Sequence, residues 1–177
     1  MKKCFLIIAL TIFITSCSKK IYVVRHAEKA AQPASNPELS ADGTQRAIAL
    51  REALKNKNIK GIYSTNTTRT LNTALPLSQV TDTKTEIYPS RPDSSFIHNL
   101  KKKSGNQLVV GHSNTIDDIV NMLCGRIVVP ADLPDAAYDN LYIVRLPRSG
   151  KGAARFKNLK YGKSTPVESS SASPAMN

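Results

Sequence analysis

The chain has 177 residues, which is enough for one domain with a hydrophobic core and too few for two typical domains. It carries 25 Lys and Arg residues against 13 Asp and Glu residues, a formal net charge of +12. With only three cysteines it is not a small fold held together by disulfides.

The amino-terminal segment has the pattern of a secretory signal. Lys2 and Lys3 precede an apolar run over residues 4–14, which is shorter than the roughly 20 residues of a transmembrane helix. A buried first strand or helix is the alternative. The run ends in Ile14-Thr15-Ser16-Cys17, which resembles the lipobox of bacterial lipoproteins, whose cysteine receives the lipid.

We therefore expect a signal peptide over residues 1–16, a lipidated Cys17 and a short linker over 17–20. The protein would then be exported and anchored by this lipid to a bacterial membrane, facing the periplasm. Cys124 is left as the one cysteine of the folded part, with no partner for an internal disulfide. Its apolar surroundings, residues 119–124, favour a core position over a reactive thiol.

Apolar runs and helical periodicity alternate along the rest of the chain. Strands are predicted at 21–24, 61–64, 85–88, 107–110, 140–146 and 153–159, and helices at 41–57, with Ser40 as N-cap, 68–78, 93–103 and 115–124. This alternation indicates an α/β, three-layer sandwich with a mostly parallel central sheet flanked by helices. The last two strands, joined by a turn at 147–152, predict an antiparallel edge hairpin. The domain is expected over residues 21–163, followed by a disordered tail over 164–177.

Histidines and arginines follow the predicted strands. Arg25 and His26 come directly after the first strand, Arg69 lies after the second, and His112 follows the fourth. Ligands of such sheets bind beyond the carboxyl ends of the strands, so these side chains should meet at one edge. Guanidinium groups match phosphate oxygens bidentately and keep their charge, and an imidazole can attack phosphorus. The pattern predicts a site for a phosphoryl group.

A metal site is the competing interpretation, since His26 and His112 with nearby acids can ligate zinc. Two arginines at the same edge would repel a dication, however, and the spacings match no established zinc signature. No metal is therefore expected.

Four segments together resemble the histidine phosphatase superfamily, also called the phosphoglycerate-mutase-like fold. They are Val24-Arg25-His26-Ala27-Glu28-Lys29, Leu39-Ser40-Ala41-Asp42-Gly43 with Gln45 and Ala47, Tyr63-Ser64-Thr65 through Arg69 to Thr73-Ala74, and Val110-Gly111-His112-Ser113. These segments occur in the order of the family and span about 90 residues. Each is weakly specific, but the ordered set is highly specific.

The resemblance implies that His26 attacks phosphorus, that Arg25, Arg69 and His112 bind the phosphoryl oxygens with Ser113, and that water hydrolyses the phosphohistidine. It implies no metal or nucleotide cofactor. The substrate would be a phosphorylated small molecule or a phosphoprotein. Alternatives are a non-catalytic phosphate-binding lipoprotein and a phosphoglycerate-mutase-like phosphotransferase. A phosphatase is favoured because the chain lacks a long insertion that could cap the pocket, as in small bacterial phosphohistidine protein phosphatases.

The chain departs from the family pattern at the general acid. Many members place a Glu after the third strand, whereas residues 88–93 offer only Asp93. Glu28 is the tentative alternative, although it can equally be a structural partner for one of the pocket arginines. Two smaller departures are Ala27 in place of the usual Gly and Gln32 where many members carry Asn. A missing acid slows alkyl phosphates most, which favours phosphohistidine, acyl phosphates and aryl phosphates.

Basic runs at residues 101–103 and 151–163 suit anionic partners or a membrane surface, or simply a solvated face. Nucleic acid is disfavoured because few aromatic residues accompany these runs and because the protein is expected to be exported. The sequence does not indicate an oligomeric state.

Overall fold

The structure of the protein is a computed structural model that describes residues 18–147 and 152–165. The predicted signal peptide and the lipidation of Cys17 lie outside the described residues. So do most of the predicted turn at 147–152 and most of the predicted tail at 164–177.

Six strands form one sheet in the order β3-β2-β4-β1-β5-β6. The strands are β1 (Lys20–Arg25), β2 (Ile59–Ser64), β3 (Thr85–Ile87), β4 (Asn106–Gly111), β5 (Asn140–Arg145) and β6 (Arg155–Lys160). The first four strands pair in parallel, whereas β5 and β6 are antiparallel and form one edge. The predicted α/β fold, with a mostly parallel sheet and an antiparallel pair at its C-terminal edge, is confirmed.

Four helices cover the two faces of this sheet. They are α1 (Ala41–Leu54), α2 (Thr68–Thr81), α3 (Ser94–Lys102) and α4 (Ile116–Cys124). Helices α1 and α2 pack on one face through Leu50, Leu54 and Leu77. Helices α3 and α4 pack on the other face. In the described ranges, none of the helices has both the length and the apolar character needed to cross a membrane.

The central strands are buried on both faces because successive side chains point to opposite sides of the sheet. On β1, Ile21 and Val23 face the α3 and α4 layer, whereas Tyr22 and Val24 face the α1 and α2 layer. Cys124 is buried in the first of these layers, which confirms the prediction of a core cysteine.

The helix boundaries follow local backbone chemistry. Ser40 caps α1 by accepting a hydrogen bond from Gly43 N at 3.1 Å, as its type predicts. The helix ends at Leu54, three residues before the predicted end at Lys57, and Asn58, with a φ of 49°, then leads the chain into β2. Helix α2 continues beyond the prediction to Thr81 and ends at Asp82, which also lies in the left-handed region.

Candidate active site

The register of two neighbouring parallel strands places two histidines side by side. Arg25 ends β1 and pairs with Gly111, the last residue of β4, so that His26 and His112 each follow a paired position. His26 N donates a hydrogen bond to Gly111 O at 2.8 Å. The two imidazole centroids lie 5.5 Å apart. Gly111 has no room for a side chain, since a Cβ there would lie 2.7 Å from the Tyr88 hydroxyl.

His26 is buried and neutral. Burial is the main reason that its pKa is lowered to about 3, and the charges of Arg25 and Arg69 act in the same direction. Its Nδ1 lies 2.8 Å from the Ala27 carbonyl, which can only accept, so Nδ1 carries the ring proton. The lone pair is therefore on Nε2, which is the state that a nucleophilic imidazole requires.

His112 is held between two polar groups of the β2–α2 region. Its Nε2 lies 2.8 Å from Thr65 Oγ1, and its Nδ1 lies 3.4 Å from Arg69 Nη2. Because a guanidinium can only donate, Nδ1 accepts from Arg69 and the proton is on Nε2, which donates to Thr65. Burial lowers the pKa of His112 to about 4, with Arg69 and Arg25 as further causes. Both imidazoles are thus uncharged at neutral pH.

Arg25 is held by neutral groups of the loop that precedes β5. Its Nη1 donates to the carbonyls of Pro134 and Asp135 at 3.0 and 2.9 Å. Its guanidinium lies over the Tyr138 ring, with Cζ 4.1 Å from the centroid. Among the described residues, the carboxylate that forms an ion pair with it is that of Asp135, which is exposed and lies 3.6 Å from Nη2. The guanidinium is fixed in place while most of its charge remains unneutralised.

Two of the arginine nitrogens have no partner among the described residues. The Nε atoms of Arg25 and Arg69 are buried and make no hydrogen bond to residues 18–147 or 152–165. A buried donor without an acceptor is destabilising, so such a pair of donors favours an anion with acceptor oxygens. This is the strongest local sign that the site binds an oxyanion.

These groups line a cleft of about 610 Å³ at the carboxyl ends of the parallel strands. The lining residues are Arg25, His26, Lys29, Thr67, Arg69, Ser90, Arg91, His112, Ser113, Asn114, Thr115 and Asp135. The structure therefore brings together Arg25, His26, Arg69, His112 and Ser113, the predicted nucleophile and phosphoryl-binding residues. Four cationic side chains line the cleft against the one carboxylate of Asp135.

The donor set of the cleft is cationic and does not resemble a metal site. Within 18–147 and 152–165, no three His, Cys, Asp or Glu side chains converge in a way that could hold a metal ion.

The family comparison matches residues 21–90 to the model described as histidine phosphatase superfamily (branch 1). The match runs from β1 through β3 and includes Arg25, His26 and Arg69. The predicted resemblance to the histidine phosphatase superfamily is thus confirmed over this part of the chain. No curated protein sequence matches the chain significantly.

Solved structures of this superfamily share the fold at low sequence identity. The protein histidine phosphatase SixA complexed with tungstate is 17% identical, with a TM-score of 0.63 over 80% of this chain and 96% of that one. The putative phosphohistidine phosphatase SixA from Agrobacterium tumefaciens is 16% identical, with a TM-score of 0.58 over 82% and 97%. Phosphoserine phosphatase from Entamoeba histolytica, in complex with 3-phosphoglyceric acid, is 14% identical, with a TM-score of 0.59 over 82% and 98%.

Glu28, which the sequence offers as the general acid, is paired with another side chain. Both of its carboxylate oxygens accept hydrogen bonds from Arg46, at 2.7 to 2.9 Å. Glu28 is not among the residues that line the cleft. Its partner is thus an arginine of α1, and the expectation of a pocket arginine as its partner is wrong. The pair is a structural tie between the β1–α1 loop and α1.

Asp93, the other carboxylate considered, is the N-cap of α3. Its Oδ1 accepts hydrogen bonds from Phe96 N and Ser95 Oγ, both at 2.9 Å. These bonds, that from Phe96 first, lower the pKa of Asp93 and favour its ionised form, which cannot donate a proton. Neither carboxylate is placed as a proton donor to a bound substrate.

Several residues around the site were not predicted from the sequence. Tyr138 and Asp135 hold Arg25, and Thr65 holds His112. Thr73 Oγ1 accepts from Ala27 N at 2.9 Å and donates to Arg69 O at 2.7 Å, which ties the segment after β1 to α2. Thr73 lies in a segment that resembles the family, and this resemblance was the only feature of the sequence that indicated a role for it. Tyr138 and Asp135 lie in an irregular loop without periodicity.

Proposed function

We propose that the protein is a phosphatase that transfers a phosphoryl group to His26 Nε2 and then to water. The observation that supports this most directly is the pair of buried, unpartnered Nε atoms of Arg25 and Arg69 beside a neutral His26. The nucleophile needs no prior deprotonation, because the ring proton is on Nδ1, which donates a hydrogen bond to the Ala27 carbonyl, and Nε2 is unprotonated.

In this mechanism His26 Nε2 forms a bond to phosphorus while the bond from phosphorus to the leaving atom breaks. Arg25 and Arg69 stabilise the charge on the non-bridging oxygens, which increases as the transfer proceeds. His112 donates from Nε2 once its hydrogen bond to Thr65 is exchanged for one to phosphate. Water then attacks the phosphohistidine, which releases inorganic phosphate and restores His26.

The substrates we propose are phosphoryl compounds with good leaving groups. Glu28 is paired with Arg46 and Asp93 caps α3, so neither is available to protonate a poor alkoxide. Phosphohistidine, acyl phosphates and aryl phosphates depend least on such an acid. The likeness to protein histidine phosphatases and the short loops 65–67, 88–93 and 112–115 around the cleft support a protein phosphohistidine as substrate.

The test is hydrolysis of an aryl phosphate by the purified chain in the presence of EDTA. We expect turnover without added metal and, after a rapid quench in alkaline denaturant, which preserves the phosphorus–nitrogen bond, one phosphoryl group on a peptide containing His26. His26→Ala should abolish both. The matched control is His98→Ala, an exposed histidine of α3, which should keep full activity.

The outcomes separate the competing functions. Activity that survives His26→Ala would overturn the mechanism. Tight binding of tungstate without turnover would show a phosphate-binding protein. Transfer to an acceptor in place of water would show a phosphotransferase.

We propose in addition that the protein is exported and lipidated on Cys17, on the basis of the segment Ile14-Thr15-Ser16-Cys17 after the apolar run. Expressed in a bacterium, the wild type should partition with membranes and carry acyl chains on Cys17, whereas Cys17→Ser should lose the acyl chains. A wild-type chain without lipid would contradict the proposal.

A further inference from the structure

A second cavity lies on the α1 and α2 face of the sheet, where the outer strands β5 and β6 extend beyond the helices. Its volume is about 620 Å³, and it is bounded by the C-terminal end of α1 and by β1, β5 and β6. We call this cavity the basic groove. Its lining includes the cations Lys20, Lys57, Arg145, Arg155 and Lys157 and an apolar floor of Tyr22, Leu141, Ile143 and Leu159.

Three cations lie in one row across this groove. Lys20 of β1 pairs with Arg145 of β5, and Arg145 pairs in turn with Arg155 of β6. Neighbouring strands are about 4.8 Å apart, so the row places like charges directly opposite each other, which is destabilising. An anionic partner would relieve this repulsion.

No carboxylate of the protein does so in the described part of the chain. None of Lys20, Lys57, Arg145, Arg155 and Lys157 is in an ion pair within 18–147 and 152–165, although seven ion pairs are formed by other residues there. The other lining cation, Lys160, is paired with Asp139 at 2.8 Å.

An apolar strip runs beside the row of cations. In the next registers of the β5–β6 pair, Ile143 is opposite Lys157 and Leu141 is opposite Leu159. Leu159 is an exposed large hydrophobic residue, at 38%. A small soluble anion would make no favourable contact with such an apolar strip. A membrane interface offers phosphate groups above apolar chains, and long Lys and Arg side chains can reach the phosphates while their methylenes cover apolar surface.

The groove is at the opposite end of β1 from the active site. Lys20 begins the strand, whereas Arg25 ends it and leads into the cleft. At about 3.3 Å per residue, these two ends are roughly 17 Å apart. The described chain begins at Ser18, two residues before this row.

We infer that the basic groove docks the protein on the anionic phospholipid surface of a membrane, with the catalytic cleft directed away from the lipid. The charge row binds the headgroup phosphates, and the strip of Ile143 and Leu159 contacts the apolar region below them. The inference depends on the groove alone and holds with or without a lipid on Cys17.

The experiment compares partition of the full chain into phosphatidylcholine vesicles and into vesicles that also contain phosphatidylglycerol. The ratio of the two partition coefficients is the readout, because it removes any contribution of the apolar run at residues 4–14. Each cation near an anionic surface contributes about a fivefold increase in binding. Arg145→Gln/Arg155→Gln/Lys157→Gln should therefore lower the ratio about 100-fold.

The matched control removes the same charge from α3 and its C-cap. Lys101→Gln/Lys102→Gln/Lys103→Gln should lower the ratio less than about threefold, since these side chains are outside the groove. Both variants should keep the aryl phosphatase activity and thermal midpoint of the wild type. If the groove triple does not fold, Lys157→Gln alone, at an exposed edge position, should lower the ratio about fivefold.

Three results would overturn the inference. A wild-type ratio near one would show no preference for anionic lipid. An equal decrease in the two triple variants would show that only net charge matters. A dimer in sedimentation that the groove triple abolishes would show that a second copy covers this face.

Discussion

Two buried arginines of this protein have opposite environments, and the contrast distinguishes a structural charge from a functional one. Arg46 is fully paired: Glu28 accepts from its Nε and Nη2, and the carbonyls of Tyr161 and Lys163 accept from Nη1 and Nη2. Arg25 is held by two carbonyls and a tyrosine ring, its one ion pair there is a 3.6 Å contact with the exposed Asp135, and its Nε has no partner within the part of the chain that the structure describes. Each guanidinium also lies near a tyrosine, Tyr161 for Arg46 and Tyr138 for Arg25.

The difference is therefore in the counter-ion. Arg46 has its own carboxylate inside the fold, so its charge contributes to stability and is not available to a ligand. Arg25 is fixed by neutral groups, which orient the guanidinium without cancelling it. Arg69 resembles Arg25 in its unpartnered Nε and its contact with His112. A bound oxyanion would give Arg25 and Arg69 an acceptor for Nε and a close counter-ion, whereas Arg46 already has both.

The largest expected effect is on catalysis. Arg25→Met and Arg69→Met should each lower kcat/KM for an aryl phosphate by about a thousandfold, since each removes a fixed donor to the transferring group, worth about 4 kcal/mol. Arg46→Met, the matched change at the paired arginine, should lower it less than about fivefold. Steady-state kinetics on the three variants measures this. An equal loss in folded Arg46→Met would remove the distinction between the two arginines.

For the free energy of unfolding we expect the reverse order, with the largest loss at the paired Arg46. Arg46→Met should lower the free energy of unfolding by about 3 kcal/mol, because it leaves the Glu28 carboxylate without its partner. Glu28→Gln should lower it by about 2 kcal/mol, the range of a charge-assisted hydrogen bond. Denaturant titration measures both. In the double variant the losses should be less than additive, since the two residues act as a pair.

The same Glu28→Gln variant tests the identity of the acid. Its ratio of aryl to alkyl phosphate hydrolysis should equal that of the wild type. A selective loss of more than tenfold on the alkyl ester would show that Glu28 is the proton donor after all.

The sequence allowed the elements and the convergence of the site to be predicted for a physical reason. Parallel strands end at one edge, so Arg25, Arg69 and His112 had to be close once strands 21–24, 61–64 and 107–110 were recognised. The strand order was not predictable in this way. The order of the strands depends on which buried faces pack together. The hydrophobic pattern of a strand indicates only that the strand is buried and does not indicate its neighbours.

The sequence alone did not decide whether Glu28 is the general acid or a structural partner of an arginine, although the position of Arg46 could have identified that partner. Arg46 lies four residues before Leu50 on the apolar stripe of α1, a position where an arginine is buried and needs an acid. Tyr138 had no such signal. It lies in the irregular segment between α4 and β5, where neither period nor turn chemistry indicates which side chain returns to the site.

A smaller effect is expected at the tyrosines beside the two arginines. Tyr138→Leu should lower kcat/KM about tenfold, because about 1.4 kcal/mol of cation–π contact and ring packing positions Arg25. Tyr138→Phe retains the ring and should lose about twofold. Tyr161→Phe is the control: it removes a buried hydroxyl that has no partner in the described ranges and should change neither activity nor stability appreciably. Full activity in Tyr138→Leu would show that the loop carbonyls alone fix Arg25.

The smallest effect is on the pH dependence of stability, and it arises from the cleft. The folded pKa values of His26 and His112, about 3 and about 4, are below the ordinary value of 6.5. Between pH 6.5 and pH 4 the unfolded chain therefore binds protons that the folded protein does not, and stability falls as pH falls through this window.

The decrease should be on the order of 1 kcal/mol between pH 7 and pH 5, after allowance for solvent screening at His112. Denaturant titrations of the wild type and of His26→Asn/His112→Asn measure it. The variant should show the weaker dependence, since it removes both buried imidazoles. Saturating tungstate should weaken it in the wild type as well, because an anion between the rings favours their protonated forms. Equal slopes for the two proteins would mean that the imidazoles are better solvated than the geometry of the cleft implies, and would weaken the case for a neutral nucleophile.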